Sequence, residues 1–299
     1  MRAFAPGIYP RSEPLVQATR DLDRGRTSAE AVAGQVAHDL RELVSVQREA
    51  RLSLLSDGLL GWQDIFRPLA EAAEGLDARP LTRFLDTNTF YRAVLVDGQP
   101  RLRSPLPAPD LPAGEWVGTL PSPLAFARAA NDAVSAQALA VDVLAPQAQA
   151  WTEAGAGLIV LSEPFAAREG DAGELLSALA ELPSGAPLAL QLPFGDAAAV
   201  LPALAEAPVA AIGVDFYSTS LDSVPSGYPK EILAGVVDAR SSALESPDEM
   251  ARFAESLAAR GPAGIALTPN GDLQFVPEPI AREKLARLGR ASTSLAEVA

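Results

Sequence analysis

The stretch Ala210-Ala211-Ile212-Gly213-Val214-Asp215-Phe216 decides the fold, because it is a mainly apolar run that ends beside a carboxylate. Two similar runs follow it, at Ile232 to Val237 and at Gly264 to Leu267, and polar residues follow each of them. Apolar runs of this length are typical of parallel strands, whose two faces are both covered by other parts of the protein. We therefore predict a parallel sheet with helices packed against it.

The same unit recurs along the chain and gives eight predicted strands. The other five are Ala3 to Ile8, Leu54-Leu55, Trp116 to Leu120, Gly157 to Leu161 and Leu188 to Leu192. Ala-rich and Leu-rich segments of helical period separate most of these runs. Eight alternations predict a (β/α)8 TIM barrel, with residues 1–299 as one domain and 290–299 as a flexible tail. A doubly wound open sheet is the alternative, but no G-x-G-x-x-G motif follows any strand.

Local motifs predict two further elements. Thr27 and Glu30 form a T-x-x-E capping box, which predicts a helix running to about Leu52. The segment from Leu81 to Arg103 interrupts the strand and helix alternation. It contains the turn-forming pair Asp97-Gly98, and we interpret it as a β-hairpin insertion.

Composition narrows the possible functions. A formal net charge of −14 argues against nucleic-acid and membrane partners, and no apolar stretch is long enough to span a bilayer. The absence of cysteine excludes disulfides, thiolate nucleophiles and sulfur ligands for zinc. The only histidine, His38, points away from the apolar face of its predicted helix, so a hydrolase triad is not expected. No secretory signal is recognisable, and a soluble cytoplasmic protein is the expectation.

Polar side chains follow the predicted strands, at the barrel end where chemistry takes place. They are Asp57, Glu163, Gln191, Asp215, Asp238 and Asn270. Carboxylates that converge there raise one another's pKa values or attract a cation. Two alternatives stay open: each residue caps a helix or supports a loop, or the group forms an oxygen-only Mg²⁺ or Ca²⁺ site.

Seven fragments occur in an order that identifies a family resemblance. They are Pro6 to Arg11, Ser56 to Asp64, Asp86 to Arg92, Leu120 to Phe126, Leu161 to Pro164, Gly235 to Arg240 and Glu245 to Glu249. Together they span nearly the whole chain and resemble the cobalamin-independent methionine synthases, in the short form that consists of the C-terminal barrel. Among the matching family motifs are G-S-[FY]-P-R, D-G-x-x-x-W-x-D, N-T-[FY]-[FY]-R and D-E-P.

The resemblance implies methyl transfer from a folate, or in some short members from a corrinoid, to the thiol of homocysteine. In that family a zinc ion binds the thiol sulfur. The family's H-x-C motif corresponds here to Gln191-Leu192-Pro193, its glutamate to Asp215, and its P-D-C-G-L loop to Pro269 to Leu273. A single carboxylate cannot hold zinc, so we expect no zinc cofactor. Ile8 and Ser162 replace family residues that grip the amino acid, and homocysteine recognition is expected to differ.

Two hypotheses follow. The first is a divergent methyltransferase that uses Asp215 and Asp238 in catalysis, with methyl-folate or methylcorrinoid as the donor. Its predicted substrate-binding residues are Asp57, Trp62, Asp64, Tyr91, Glu163, Gln191 and Asn270. Trp62 and Tyr91 are expected to pack against a flat, pterin-like ligand or to be ordinary packing residues. The second hypothesis is a non-catalytic small-molecule binder, or an accessory subunit of a corrinoid or methyltransferase partner protein.

Overall fold

The structure is a computed structural model that describes residues 1–83 and 90–298. Its strands are β1 (Arg2–Ala3), β2 (Ala73–Arg83), β3 (Phe90–Leu102), β4 (Val117–Pro121), β5 (Leu158–Ser162), β6 (Leu188–Leu192), β7 (Ala211–Asp215), β8 (Glu231–Val237) and β9 (Gly264–Pro269). Its α-helices are α1 (Glu13–Asp23), α2 (Ala29–Glu49), α3 (Arg67–Ala72), α4 (Pro123–Ala129), α5 (Ala136–Leu139), α6 (Ala145–Glu153), α7 (Ala166–Glu169), α8 (Gly173–Leu179), α9 (Leu201–Leu204), α10 (Pro247–Ala258) and α11 (Glu278–Val298). A π-helical segment, Ala140–Leu144, joins α5 to α6.

The main sheet is parallel, and its strand order is β1-β9-β8-β7-β6-β5-β4. Both edge strands reach the segment around Ser53 and Leu55. The Ser53 N–H donates to the carbonyl of Ala3 in β1 over 2.8 Å, and Leu55 forms a parallel bridge with Trp116 beside β4. The sheet is therefore curled. The strand predicted at Leu54-Leu55 is reduced to this bridge, because the chain turns just beyond it at Gly58, where φ is +63°.

Two sets of buried side chains explain why the strands are apolar on both faces. A small cluster consists of Phe4, Leu54, Val117, Leu158, Val160, Ala189, Ala211, Leu233 and Ala266. The alternate strand residues, such as Ile159 and Leu190, belong to the main core together with the helices. Because side chains alternate along a strand, Gln191 and Asp215 lie on the same face as the small cluster, at the carboxyl ends of β6 and β7.

The segment predicted as a hairpin lies within an antiparallel pair, β2 and β3, that differs from the prediction in its bounds. The first strand begins at Ala73, and residues 84–89, which connect the strands, lie outside the described residues. The predicted turn at Asp97-Gly98 is wrong, because both residues lie within β3 beside an irregularity in the register. Gly75 has a φ of +70°, and a Cβ there would lie 2.5 Å from the Gln99 carbonyl oxygen. The glycines therefore accommodate a bulge between close strands.

Two helix ends differ from their sequence signals. The N-cap of α2 is Ser28, whose hydroxyl accepts from the Ala31 N–H, so the predicted cap at Thr27 is one residue too early. Helix α11 extends to Val298, and Ala291 and Ser292, at the start of the segment predicted as a flexible tail, are buried. In the part of the chain that the structure describes, no helix is both long and apolar enough to cross a membrane.

Candidate functional site

Three predicted site residues meet at the carboxyl ends of the strands, and we name Gln191, Asp215 and Asn270 the strand-end cluster. The Gln191 Nε2 donates to the Pro269 carbonyl over 3.0 Å. The Asn270 Nδ2 donates to Asp215 Oδ1 over 3.0 Å, and its Oδ1 accepts from the Ala239 N–H over 2.9 Å. All three side chains are buried. Residues that are far apart in the sequence therefore form one polar layer above the apolar interior.

Hydrogen bonds occupy both oxygens of the Asp215 carboxylate. Besides Asn270, the Tyr217 N–H donates to Oδ1 over 2.9 Å, and the Ser218 hydroxyl donates to Oδ2 over 2.9 Å. Donors that bind the charged form stabilise a buried carboxylate. This arrangement fixes the loop after β7 and directs three donors at the only carboxylate of the cluster.

Glu163 follows β5 and is fully buried. Its Oε1 accepts from the N–H groups of Phe165 and Ala166, over 2.7 and 2.9 Å, and its Oε2 accepts from the Ser122 hydroxyl. Burial raises the pKa of this carboxyl, although the hydrogen bonds oppose that shift. Since Ser122 also caps α4, Glu163 joins the starts of two helices. Glu163 therefore stabilises the starts of these two helices, whether or not it also contacts a ligand.

An aromatic side chain fills the space beside the strand-end cluster. A Cβ on Gly271 would lie 2.3 Å from Cζ of Phe194, so the ring packs directly on the glycine. The Phe194 ring packs edge-on against the Phe275 ring, with 5.3 Å between the ring centroids. The Arg240 guanidinium lies 4.4 Å from the centroid of the Phe194 ring. Phe194 has a φ of +59°, which is costly for a bulky residue. The contacts of the Phe194 side chain with its neighbours therefore hold the backbone in this unfavourable conformation.

A cleft opens next to Trp62, which is half-buried and whose ring centroid lies 6.3 Å from that of Trp151. The cleft has a volume of about 580 Å³, and we name it the Trp62 cleft. Its lining includes Ile8, Arg11, Trp62, Gln63, Gln274 and Glu278. These residues come from the loops after β1, after Leu55 and after β9 and from the first residue of α11, on the side where the strands end. An aromatic side chain among a few polar groups is the usual lining of a small-molecule site.

Two acidic side chains are held within these loops. Asp57 Oδ1 accepts from the Leu59 N–H over 2.9 Å, and burial raises the pKa of its carboxyl. Asp272 accepts from the Ile8 N–H over 3.1 Å and from the Gln274 amide over 3.2 Å. Burial raises the Asp272 pKa from 3.8 to about 6. Asp272 thus connects the loop after β1 to the loop after β9.

Asp64 and Tyr91 serve other contacts. Asp64 Oδ1 accepts from the N–H groups of Phe66 and Arg67, which start α3, and its Oδ2 accepts from the Arg92 N–H in β3 over 3.0 Å. The Tyr91 ring packs against Phe66 at 5.2 Å between centroids. Both residues therefore attach the β2–β3 pair to α3. The structure does not bring them into the strand-end cluster.

Asp238 follows β8, but its side chain lines a different cleft from the Trp62 cleft. Its Oδ1 accepts from the Arg240 N–H over 2.9 Å, and its own N–H donates to Glu245 Oε1 over 2.9 Å. The two predicted catalytic carboxylates thus differ in setting. Asp215 is buried within the cluster, whereas Asp238 is partly exposed at its side.

The donors available to a metal are few. Among residues 1–83 and 90–298, no group of three or more His, Cys, Asp or Glu side chains is placed to hold a metal ion. The strand-end cluster consists of one carboxylate and two amides.

The sequence analysis did not identify three residues near the site, which are Phe194, Arg240 and Asp272. The glycine at position 271 was the available signal, since it leaves room for a large neighbour.

The curled parallel sheet, with polar residues buried at its strand ends, defines an α/β protein of the barrel-like class. Its fold is that of the B12-independent methionine synthases. The chain superimposes on such an enzyme from Shewanella sp. W3-18-1 in complex with selenomethionine, with a TM-score of 0.74, 16% identity and 98% of both chains covered. For a candidate vitamin-B12-independent methionine synthase from Listeria monocytogenes the TM-score is 0.73, at 15% identity, with 99% of this chain and 98% of the other covered.

Two further comparisons concern sequence relatives and a more distant fold. A segment of 51 residues is 53% identical to the 5-methyltetrahydropteroyltriglutamate–homocysteine methyltransferases of Mycobacterium bovis and Mycobacterium tuberculosis. The segment covers 16% of this chain and only 7% of those relatives. A methyltransferase from Methanosarcina mazei superimposes with a TM-score of 0.54 and 13% identity, over 98% of this chain and 94% of that one. A comparison with models of known protein families found no match.

Proposed function

We propose that this chain is a divergent homologue of the B12-independent methionine synthases that binds a small molecule at the strand ends without zinc-dependent methylation of homocysteine. The fold and the 51-residue segment support the methyl-transfer ancestry. The observation that carries the proposal is the strand-end cluster, where three donors engage Asp215 and Phe194 packs on Gly271.

The proposal includes closure of the curled sheet into an eight-membered barrel. The segment around Ser53 and Leu55 supports it, since that segment hydrogen-bonds to Ala3 on one side and bridges to Trp116 on the other. The Val117 N–H also donates to the Leu55 carbonyl over 2.9 Å. A closed barrel has no exposed sheet edge, which favours this arrangement over an open sheet.

The residues present do not fit a zinc ion. Zinc in proteins takes thiolate, imidazole or carboxylate ligands, and the motif positions here hold Gln191, Pro193, Asp215 and Gly271. Only Asp215 is a suitable ligand, and its oxygens already accept from three protein donors. A thiol has a pKa of about 8.5, so without a metal only a few per cent is thiolate at neutral pH. These side chains therefore provide no means of converting a thiol into its reactive thiolate.

The Trp62 cleft is the proposed binding site. Its volume of about 580 Å³ suits a small molecule, and Trp62 supplies one aromatic face for a flat ring. Arg11 and Glu278 line the same cleft, so charged groups of either sign on a ligand have a partner. A reduced folate, with its flat pyrimidine and aminobenzoyl rings and its carboxylates, is the ligand class that both the lining and the family resemblance favour.

Calorimetric titration with 5-methyltetrahydrofolate tests this function. We expect saturable binding by the wild-type protein and about three- to tenfold weaker binding by Trp62→Ala, from the loss of ring stacking. Tyr217→Ala, which removes an aromatic side chain outside the cleft, is the matched control and should bind normally. Added homocysteine should give no methionine, with or without zinc. Zinc-dependent methionine formation, or no folate binding, would contradict the proposal.

A further inference from the structure

A second cleft lies beside Asp238, between the loops after β7 and β8 and helix α10. We name it the Tyr217 cleft, and its volume is about 360 Å³, which lies within the range of small-molecule sites. Its lining includes Phe216, Tyr217, Asp238, Leu244, Glu249 and Phe253. None of these residues lines the Trp62 cleft. The Tyr217 cleft is therefore a separate site to which the proposed function assigns no role.

The walls of the Tyr217 cleft are apolar side chains left open to solvent. Tyr217 is 53% exposed and Leu244 is 37% exposed, although both are large and hydrophobic. Phe216 and Phe253 pack together at 4.8 Å between ring centroids and form the aromatic side of the cleft. The Tyr217 hydroxyl donates to the Val236 carbonyl over 3.2 Å, which fixes the ring. A fixed aromatic face is therefore available to a ligand.

The charges around the cleft are negative. Glu245 is neutralised, because the buried Lys284 ammonium donates to its two oxygens over 2.7 and 2.9 Å. Asp238 and Glu249 are different: among the described residues, neither carboxylate forms an ion pair with an arginine, lysine or histidine. The net charge of the lining therefore comes from these two carboxylates. An anionic ligand would be repelled, and a cation would be attracted.

We propose that the Tyr217 cleft binds a small organic cation, such as a substituted ammonium with an apolar body. A cation over an aromatic face gains free energy from the ring quadrupole, and the gain is larger when a carboxylate is close. Asp238 and Glu249 supply the negative charge, and Tyr217 with the Phe216–Phe253 pair supplies the aromatic surface. This assignment is independent of the folate site, because the two sites share no lining residue.

Titration calorimetry with choline tests the proposal, and 3,3-dimethylbutan-1-ol serves as its uncharged isostere. We expect saturable choline binding that is about tenfold tighter than binding of the alcohol, since the two probes differ only in charge. Tyr217→Ala and Glu249→Gln should each weaken choline binding about fivefold or more. Glu255→Gln removes one charge from an exposed position on the same helix, outside the cleft, and should change it little.

Three outcomes would overturn the assignment: equal affinity for choline and the alcohol, an equal loss in Glu255→Gln and Glu249→Gln, or no saturable choline binding. Trp62→Ala is a further control, since it should weaken folate binding and leave choline binding unchanged. A failure of either site is therefore distinguishable from a failure of the other.

Discussion

Replacement of Gly271 by alanine tests how tightly Phe194 fills the strand ends. The added Cβ would lie 2.3 Å from Phe194 Cζ and 2.8 Å from Cε1, distances at which one group must move. Phe275 and Arg240 hold the ring in place, so it has little freedom to retreat. Overpacking of this kind costs about 1–3 kcal/mol, and the lower chain entropy of unfolded alanine offsets about 0.4–1 kcal/mol. We expect a net loss of about 1 kcal/mol.

A double-mutant cycle measured by urea unfolding separates this contact from other effects. Phe194→Ala alone should cost about 3–5 kcal/mol, because it removes a buried ring. If the two losses were additive, the double variant would lose their sum. We expect it to be about 2 kcal/mol more stable than that sum, because the methyl group added at position 271 then occupies space left by the Phe194 ring. Gly185→Ala is the control, since a Cβ there meets nothing within 4 Å. Additivity within about 0.5 kcal/mol would refute the account of the packing.

Two pH-dependent predictions follow from the buried acids. The Asp272 pKa is raised from 3.8 to about 6, so the folded state loses stability as pH rises through that window. The free energy of unfolding of Asp272→Asn, measured in urea, should therefore rise relative to that of the wild type between about pH 4 and 7, by up to about 3 kcal/mol. A difference between the two proteins that does not change with pH would refute the assignment. Asn270→Asp places a second carboxyl 3.0 Å from Asp215. This variant should be less stable than wild type at pH 7 and recover towards pH 4, and the reverse trend would contradict the contact.

The sequence predicted the positions of β4 to β9 well, because their apolar runs are buried on both faces over most of their length. The run predicted from Ala3 to Ile8 is a strand only at Arg2–Ala3. The runs ending at Leu192 and Phe216 are examples of the well-predicted strands. Their polar ends both reach the end of β9, where Gln191 donates to the Pro269 carbonyl and Asp215 accepts from Asn270. The Leu54-Leu55 run was harder, since burial alone does not reveal how many residues will pair before the chain turns at Gly58. Apolar runs thus predict where a strand lies better than where it ends.

Local turn chemistry misled the interpretation of the inserted segment. Asp-Gly is a strong hairpin signal, yet Asp97-Gly98 lies in a bulge opposite Gly75, which has a positive φ. The same backbone freedom that suits glycine to a turn suits it to a bulge. Only the pairing of β2 with β3 distinguishes the two, and pairing depends on residues far apart in the sequence.

The site residues divide in a similar way. Gln191, Asp215 and Asn270 were predictable, because strand ends converge whatever the loops do. Asp64 and Tyr91 were placed with them by motif, but their contacts are with α3 and β3. These contacts depend on the inserted strands, which no motif locates in space. The packing of Phe194 on Gly271 depends on an uncommon backbone conformation that sequence patterns do not reveal.

Zinc content after equilibration with the metal and dialysis is the most direct test of the central claim. We expect no stoichiometric zinc in the wild-type protein. We expect the same for Gln191→His/Pro193→Cys/Gly271→Cys, because Phe194 obstructs a side chain at position 271. Zinc should bind once Phe194→Ala is added to those three substitutions. Stoichiometric zinc in the wild type, or none in the fourfold variant, would contradict the account.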